Sequence, residues 1–210
     1  MTRSLLVVAL ALVPVAGAVA PARAGAPTDQ VREYTDAVIK VLEDPALKAE
    51  DKKPERRAAV RKIAAEVFDV QETARRALGP HWQQRTPQQR EEFVHLFADL
   101  LEQTYISKID LFGGERLRFT EEKVDGDNAI VRAKVMTKQQ TEVPVEARLL
   151  RKTDRWLIYD ILIENISLIG NYRAQFDRII RTSSYEDLVK RLRSRGEFLK
   201  ESDRPRRTER

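Results

Sequence analysis

His81 and His95 are the only two histidines in this chain of 210 residues, and 14 positions separate them. Neither belongs to an H-x-x-x-H pair or a second group of ligands, so the spacing offers no metal centre. Ser167 lacks the G-x-S-x-G elbow that activates a serine nucleophile. Gly113-Gly114 lacks the lysine and hydroxyl residue of a phosphate-cradling loop. Asp160 and Glu164 can share a strand face, which fits a paired acid and base, structural hydrogen bonding or plain exposure. Lys190, Arg191, Arg193 and Arg195 could meet phosphate or an acidic partner, or form a solvated helix face. The chain has no cysteine, hence no thiol chemistry and no disulfides. These residues predict no enzyme and no cofactor, and attention moves to the apolar side chains and what must position them.

The stretch from Glu142 to Phe176 carries most of that pattern. In VPVEARLLR, Val143, Val145, Ala147 and Leu149 alternate with polar residues, as on a strand with one buried face. After the turn Lys152-Thr153-Asp154, RWLIYDILIEN is apolar on both faces. Leu157, Tyr159, Ile161 and Ile163 are expected on one side, and Trp156, Ile158 and Leu162 on the other. SLIGNYRAQFDRII then reads as a helix, with Leu168, Tyr172, Phe176 and Ile179 at helical spacing.

Residues 1–24 read as a cleaved secretory signal peptide. Arg3 precedes the apolar run Leu5 to Ala20, and Ala22-Arg23-Ala24 forms a small-residue cleavage site. Removing them takes two arginines and no acid from the 38 basic and 33 acidic residues, leaving 36 against 33. A surplus of three, dispersed along the chain, argues against nucleic acid. Residues 25–200 are expected to form one domain, and residues 201–210 a disordered tail.

Thr28 or Asp29 is expected to cap a first helix with Val31, Tyr34, Val38 and Leu42 on its stripe. Pro54-Glu55 starts a second, carrying Val60, Ile63, Val67 and Phe68. Asp69 caps a third, which ends at Gly79 and Pro80. Thr86-Pro87-Gln88-Gln89 has the form of a capping box with proline at the first helical position. The helix it opens presents Phe93, Leu96, Phe97, Leu100, Leu101, Thr104 and Tyr105, and ends near Lys108 to Phe112. From Arg116 the period becomes two, with a turn at Asp125-Gly126, and Ala129, Val131, Ala133 and Val135 share a face. Ser184 opens a last helix with Leu188 and Leu192. The sum is an α+β fold with about four antiparallel strands.

Two segments carry a family resemblance. LGPHWQQRTPQQREEFVHLFADLLEQTY, from Leu78 to Tyr105, and WLIYDILIENISLIGNYRAQF, from Trp156 to Phe176, resemble the diagnostic segments of the MlaC family, the periplasmic phospholipid carriers also called toluene-tolerance proteins. The first matches at Leu78, Gly79, Trp82, Thr86, Gln89, Arg90, Phe93, Phe97 and Tyr105. The second matches at Trp156, Asp160, Ser167, Leu168, Asn171, Tyr172, Arg173 and Phe176. Asn165 stands where the family often has glycine, and asparagine also tolerates a left-handed backbone. Ala147 stands near a common aromatic, which changes the cavity's shape and leaves cargo preference open.

The resemblance implies a curled antiparallel sheet wrapped by helices around an apolar cavity, a nuclear-transport-factor-2-like cone with added helices. It implies a periplasmic carrier that passes phospholipid between an outer-membrane lipoprotein complex (MlaA-like) and an inner-membrane MCE-domain ABC transporter (MlaD-like). Phospholipid is then the expected cargo, with hopanoid or another lipid as the alternative. Leu157, Tyr159, Ile161 and Ile163 are expected to face the ligand, opposed by Phe97, Leu101 and Tyr105 and flanked by Val135 and Leu149. Tyr172 and Arg173 are placed at the mouth, where Arg173 either favours an anionic phosphate or forms a structural salt bridge. The rivals are a solid-cored module that binds envelope proteins, and an enzyme with Asp160 converging on Tyr105 or His95.

Overall fold

The computed structural model describes residues 26–194 except 138 and 139. The predicted signal peptide and the tail lie outside the described residues. Five antiparallel strands follow one another in space as they do in sequence: β1 (Arg116–Asp125), β2 (Asn128–Met136), β3 (Glu142–Lys152), β4 (Arg155–Ile163) and β5 (Ile166–Ser167). The sheet is an open meander. Its turns use positive φ where the sequence allows it, at Gly126 and Thr153 and at the pair Glu164 and Asn165, with φ of 51° and 64°. That last pair forms a tight two-residue hairpin of the kind that needs left-handed backbone at both positions, so asparagine serves where glycine would. The hairpin adds β5, a two-residue strand beyond the four expected.

An extra residue in each of β1 and β4 curls the sheet. In β1 the pairing skips Thr120; in β4 it skips Tyr159, since Leu149 faces Ile158 and Arg148 faces Asp160. Side chains alternate across a strand, so one skipped residue reverses the faces beyond it. Leu157, Tyr159, Ile161 and Ile163 therefore do not share a face, contrary to the reading from alternation. Ile161 and Ile163 join Ala147 and Val145, on the side that Trp156 and Ile158 also occupy.

That concave side is apolar, and its far end is sealed. Ala129, Val131, Ala147, Leu149, Trp156 and Ile158 pack there with Val31 of α1 (Pro27–Glu43) and Val67 of α2 (Lys53–Val67). The opposite side of β1 to β3 carries cross-strand ion pairs, Arg132 with Glu121 and Glu146 and Glu142 with Arg118 and Lys134, and one pair within β3, Arg148 with Glu146. Like cross-strand apolar pairs, these fix register, but at half-exposed positions each adds little stability.

The expected cap of α1 differs. The helix starts at Pro27, with Ala26 at the cap, and the Thr28 amide donates to Glu122 of β1 at 2.8 Å. A carboxylate from the sheet thus does the work of a local cap and docks the helix at the same time. From there α1 runs back along β1, placing Arg32 over Phe119 and Glu43 beside Arg116. α2 returns in the other direction, ending where Phe68 bridges Ile158 and covers the free edge of β4.

The remaining helices form a second core: α3 (Val70–Leu78), α4 (Pro87–Tyr105), α5 (Leu168–Thr182) and α6 (Tyr185–Ser194). Asp69 caps α3, Thr86 and Gln89 complete the predicted capping box on α4, Ser167 caps α5 and Ser184 caps α6. At the centre Phe93, Phe97, Tyr172 and Phe176 make edge and stacked contacts with ring centroids 5.2–5.8 Å apart. Gly79 takes φ +55°, a left-handed backbone that L side chains rarely adopt, and the Arg173 side chain of α5 lies over its bare Cα. Asp160 joins sheet to helices. It is buried, and it accepts hydrogen bonds from Ser167 Oγ (2.6 Å) and the Ile169 amide (3.1 Å).

Phe97 has no exposed surface, so Phe97→Ala is expected to act on folding rather than on a ligand. It should lower the unfolding free energy by about 3–5 kcal/mol in chemical denaturation; a loss under about 1 kcal/mol would contradict a closed aromatic core.

Candidate functional site

At one end of the concave face the apolar side chains stay uncovered. The register lines up Leu117, Val135 and Val143 in one row and Phe119, Ala133, Val145 and Ile163 in the next. Apart from Ala133, all of these are half-buried or exposed, whereas in the next two rows Val131, Ala147, Ala129, Leu149 and Ile158 are buried, with half-buried Ile161 at the boundary. The helices above repeat the gradient. Val31 is buried at the sealed end of α1, while Val38 and Leu42 nearer its C-terminus are half-buried, as is Ile63 on α2. The turn of 3-10 helix Ile106–Leu111, which continues α4 toward β1, adds Ile106, Ile109 and the 79% exposed Leu111. Among the described residues, four of the five exposed large apolar side chains, Tyr105, Leu111, Ile163 and Ile166, sit at this end, and Val124 at the other. The result is an apolar cleft, sealed at its base and open at its rim.

Ion pairs hold the rim. Asp110, on the 3-10 turn, accepts hydrogen bonds from Arg56 (2.5 Å) and from Arg57 Nε (3.0 Å) and Nη2 of α2. Burial opposes ionisation of Asp110, but the hydrogen bonds and charges of the two arginines outweigh it and hold the carboxyl below its ordinary range. Arg61 pairs with Glu102 of α4 at 2.6 Å. Tyr105 hydrogen-bonds to Tyr172, and burial together with that neighbour raises its hydroxyl pKa, so it stays neutral. Beside the rim a groove of about 660 Å³ runs between α1 and β1. Its lining mixes the apolar Ile39 and Pro45 with the charged Asp36, Lys40, Glu43, Asp44 and Arg116.

Of the residues singled out from sequence, Val135, Ile161 and Ile163 line the open end of the sheet, and Tyr105 stands at the rim. Leu101 is half-buried and packs on the helical core. Leu149 belongs to the sealed base and Phe97 to the aromatic core. Leu157 pairs with Leu150 on the convex side. Tyr159, the extra residue of β4, lies under Arg76 of α3, whose guanidinium carbon is 3.8 Å from the ring centroid. Tyr172 is 2% exposed, inside the aromatic cluster rather than at the mouth. Arg173 packs over Gly79 near Asp177, in the corner between α3 and α5, away from the rim. Sequence reasoning passed over Leu117, Val143 and Val145 as site residues, although their alternation was visible. It also missed the Arg56–Asp110–Arg57 bridge, whose partners lie 53 and 54 positions apart.

Among the described residues no polar constellation converges on the cleft. His81 bonds Asp177 at 2.9 Å against α5, and His95 is exposed on α4. Asp160 is occupied by Ser167 and Ile169, and Glu164 sits in the exposed turn, so the two carboxylates do not act as a pair. Among the described residues no group of three or more acidic or histidine side chains could hold a metal ion, and no helix is long and apolar enough to cross a membrane.

The MlaC protein family model matches residues 32–194. The chain is 22% identical over 141 residues to the intermembrane phospholipid transport system binding protein MlaC of Haemophilus influenzae. That alignment spans 65% of this chain and 66% of the relative, just under two thirds of its length. The fold is similar to that of the phospholipid-binding protein from Ralstonia solanacearum, solved in complex with a phospholipid. The TM-score is 0.71 at 24% identity, covering 84% of this chain and 99% of the other.

The bridge at the rim has a pH signature. A carboxyl held below its unfolded value stabilises the fold fully above that value, about 4, and loses the contribution as pH falls through the folded pKa. Asp110→Asn is therefore expected to cost a constant amount above about pH 5 and progressively less below about pH 4, measured as the difference in denaturation free energy from the parent chain. A difference that grows on acidification would contradict the arrangement.

Proposed function

Since the chain belongs to the MlaC family, we propose that it is a periplasmic carrier that takes phospholipid into the cleft by its acyl chains. On this reading it passes the lipid between an outer-membrane lipoprotein complex (MlaA-like) and an inner-membrane MCE-domain ABC transporter (MlaD-like), and so maintains outer-membrane lipid asymmetry. The observation that carries the reading is the unsealed half of the concave face. Leu117, Val135, Val143, Val145, Ile161 and Ile163 lie in register on one wall, and none of them is buried.

The energetics fit hydrocarbon cargo. Moving an acyl chain out of a bilayer forfeits about 0.8 kcal/mol per CH₂, so a carrier must return most of that contact along the chain's length. A sheet wall of β-branched and leucine side chains supplies it without directional bonds, which suits tails of differing chemistry. Val135, Ile161, Ile163 and Tyr105 keep the ligand-facing role expected of them on this reading. The convergent polar groups that catalysis would require are absent among the described residues. The periplasmic setting and the signal peptide 1–24 belong to the same proposal, as does a single lipid-binding domain over residues 25–200.

Native mass spectrometry of exported, purified protein, with lipid analysis of what it releases, tests the proposal. A stoichiometric two-chain phospholipid is the expected result; a hopanoid would redefine the cargo. Folded protein that is ligand-free and takes up no lipid from vesicles would sink the carrier reading. Val145→Asp, which sets a charge on the uncovered wall, should reduce lipid occupancy about tenfold or more while the chain still unfolds cooperatively.

A further inference from the structure

The clasps around the rim are not equivalent. Glu43–Arg116 and Arg61–Glu102 are exposed pairs, with side chains 37–58% accessible, and such pairs exchange freely with water. The third clasp is sheltered on one side only. Asp110 is 11% exposed and Arg56 10%, while Arg57 is 39% exposed. Arg56 is held from a second side, since its Nη1 also donates to the Leu47 carbonyl at 2.7 Å. Arg57 spends its Nε and Nη2 on one oxygen of Asp110. Two guanidiniums thus share one carboxylate, leaving a net positive charge at the rim.

The segment that Asp110 anchors is built to move if released. It leads into Gly113-Gly114, and Gly114 has φ +94° with nothing within 4 Å of the place a Cβ would occupy. Its own Leu111 is 79% exposed, so little apolar packing holds it down.

We infer that Arg57 binds the phosphodiester of the incoming phospholipid, and that the phosphate, by displacing Asp110 from Arg57, removes one of the two arginine ties between α2 and the 3-10 turn Ile106–Leu111 and so loosens the turn. This rests on the carrier reading. Acyl chains lying along the open rows bring their head group to the rim, where α2 begins. A phosphodiester presents the same pair of anionic oxygens to a guanidinium fork as a carboxylate does. Of the two arginines, only the half-exposed one can be reached. Arg56 keeps its hold on Asp110, so the displaced carboxylate stays charged and paired.

The test offers the mature chain vesicles of phosphatidylglycerol containing a minor share of diacylglycerol with the same acyl chains. The two bound lipids are counted by native mass spectrometry. The parent protein should favour the phospholipid; Arg57→Gln should lower that preference about tenfold, and Arg57→Lys should restore part of it. Hydrogen exchange of the amides in Ile106–Leu111 should quicken when phosphatidylglycerol binds the parent and not when it binds Arg57→Gln. An unchanged preference in Arg57→Gln with an unchanged melting midpoint overturns the inference, and so does equal loss of both lipids with a lowered midpoint. Glycerol phosphate alone producing the same quickening, at matched ionic strength, assigns the site to soluble phosphates and overturns the lipid assignment. A parent protein that binds neither lipid overturns the carrier reading itself, and this inference with it.

Discussion

One extra residue in β4 decides what each half of the sheet can do. Before Tyr159, Trp156 and Ile158 face the helical hairpin and close the base of the cleft; after it, Ile161 and Ile163 face the same way and leave the rim apolar. Without the skipped position, alternation would turn Ile161 and Ile163 to the convex side and swing Asp160 into the apolar wall. A carboxylate there would have no partner and would carry the cost of burying a charge. With it, Asp160 points to Ser167 and Ile169 and fixes the start of α5. The same irregularity thus builds the wall of the site and ties the sheet to the helical core.

The division into two cores follows. The helical core around Phe93, Phe97, Tyr172 and Phe176 is closed on every side, and it supplies rigidity that a half-open sheet lacks. The sheet core is closed only at its base, where Val31, Val67, Trp156 and Ile158 meet. At the rim, ion pairs between α1 or α2 and the opposing elements replace apolar packing. Glu43–Arg116 and Arg61–Glu102, at half-exposed positions, hold geometry at little free-energy gain, while the sheltered Arg56–Asp110 pair is the firmer tie across the rim. Apolar area left at the rim is worth about 25 cal/mol per Å² when something covers it, which is the driving force a hydrocarbon ligand would use.

Much of this was legible in the chain. The capping box at Thr86, the caps at Asp69 and Ser184, the positive φ of Gly79 and the tolerance of Asn165 are local chemistry, and local chemistry can be read from neighbours. Alternation likewise placed Ala129 to Val135 and Val143 to Leu149 on one face. What was not legible depends on residues far apart. The bulge at Tyr159 exists only in its pairing with β3. The cap of α1 comes from Glu122, 94 positions away. Tyr172 and Arg173 are adjacent in a motif that suggested a mouth, yet one turns into the aromatic core and the other over Gly79. A helix repeats every 3.6 residues, so neighbours in sequence point to different walls.

Ala147 shows how the departures from the family pattern bear on the cleft. It pairs with Val131 and Ile161 at the boundary between the sealed rows and the open ones, and is 8% exposed. Ala129 and Ala133 flank it on the same face of β2, also buried. Three alanines in neighbouring rows make that part of the wall thin, because each ends at Cβ where valine or leucine would project further. The bulk that encloses the base comes from Leu149, Trp156 and Ile158, and the bulk at the rim from Val135, Val145 and Ile163. An aromatic at Ala147 would crowd Val131 and Ile161, its neighbours in the same row, where the alanine ends at Cβ and lets the strands' larger side chains close over it.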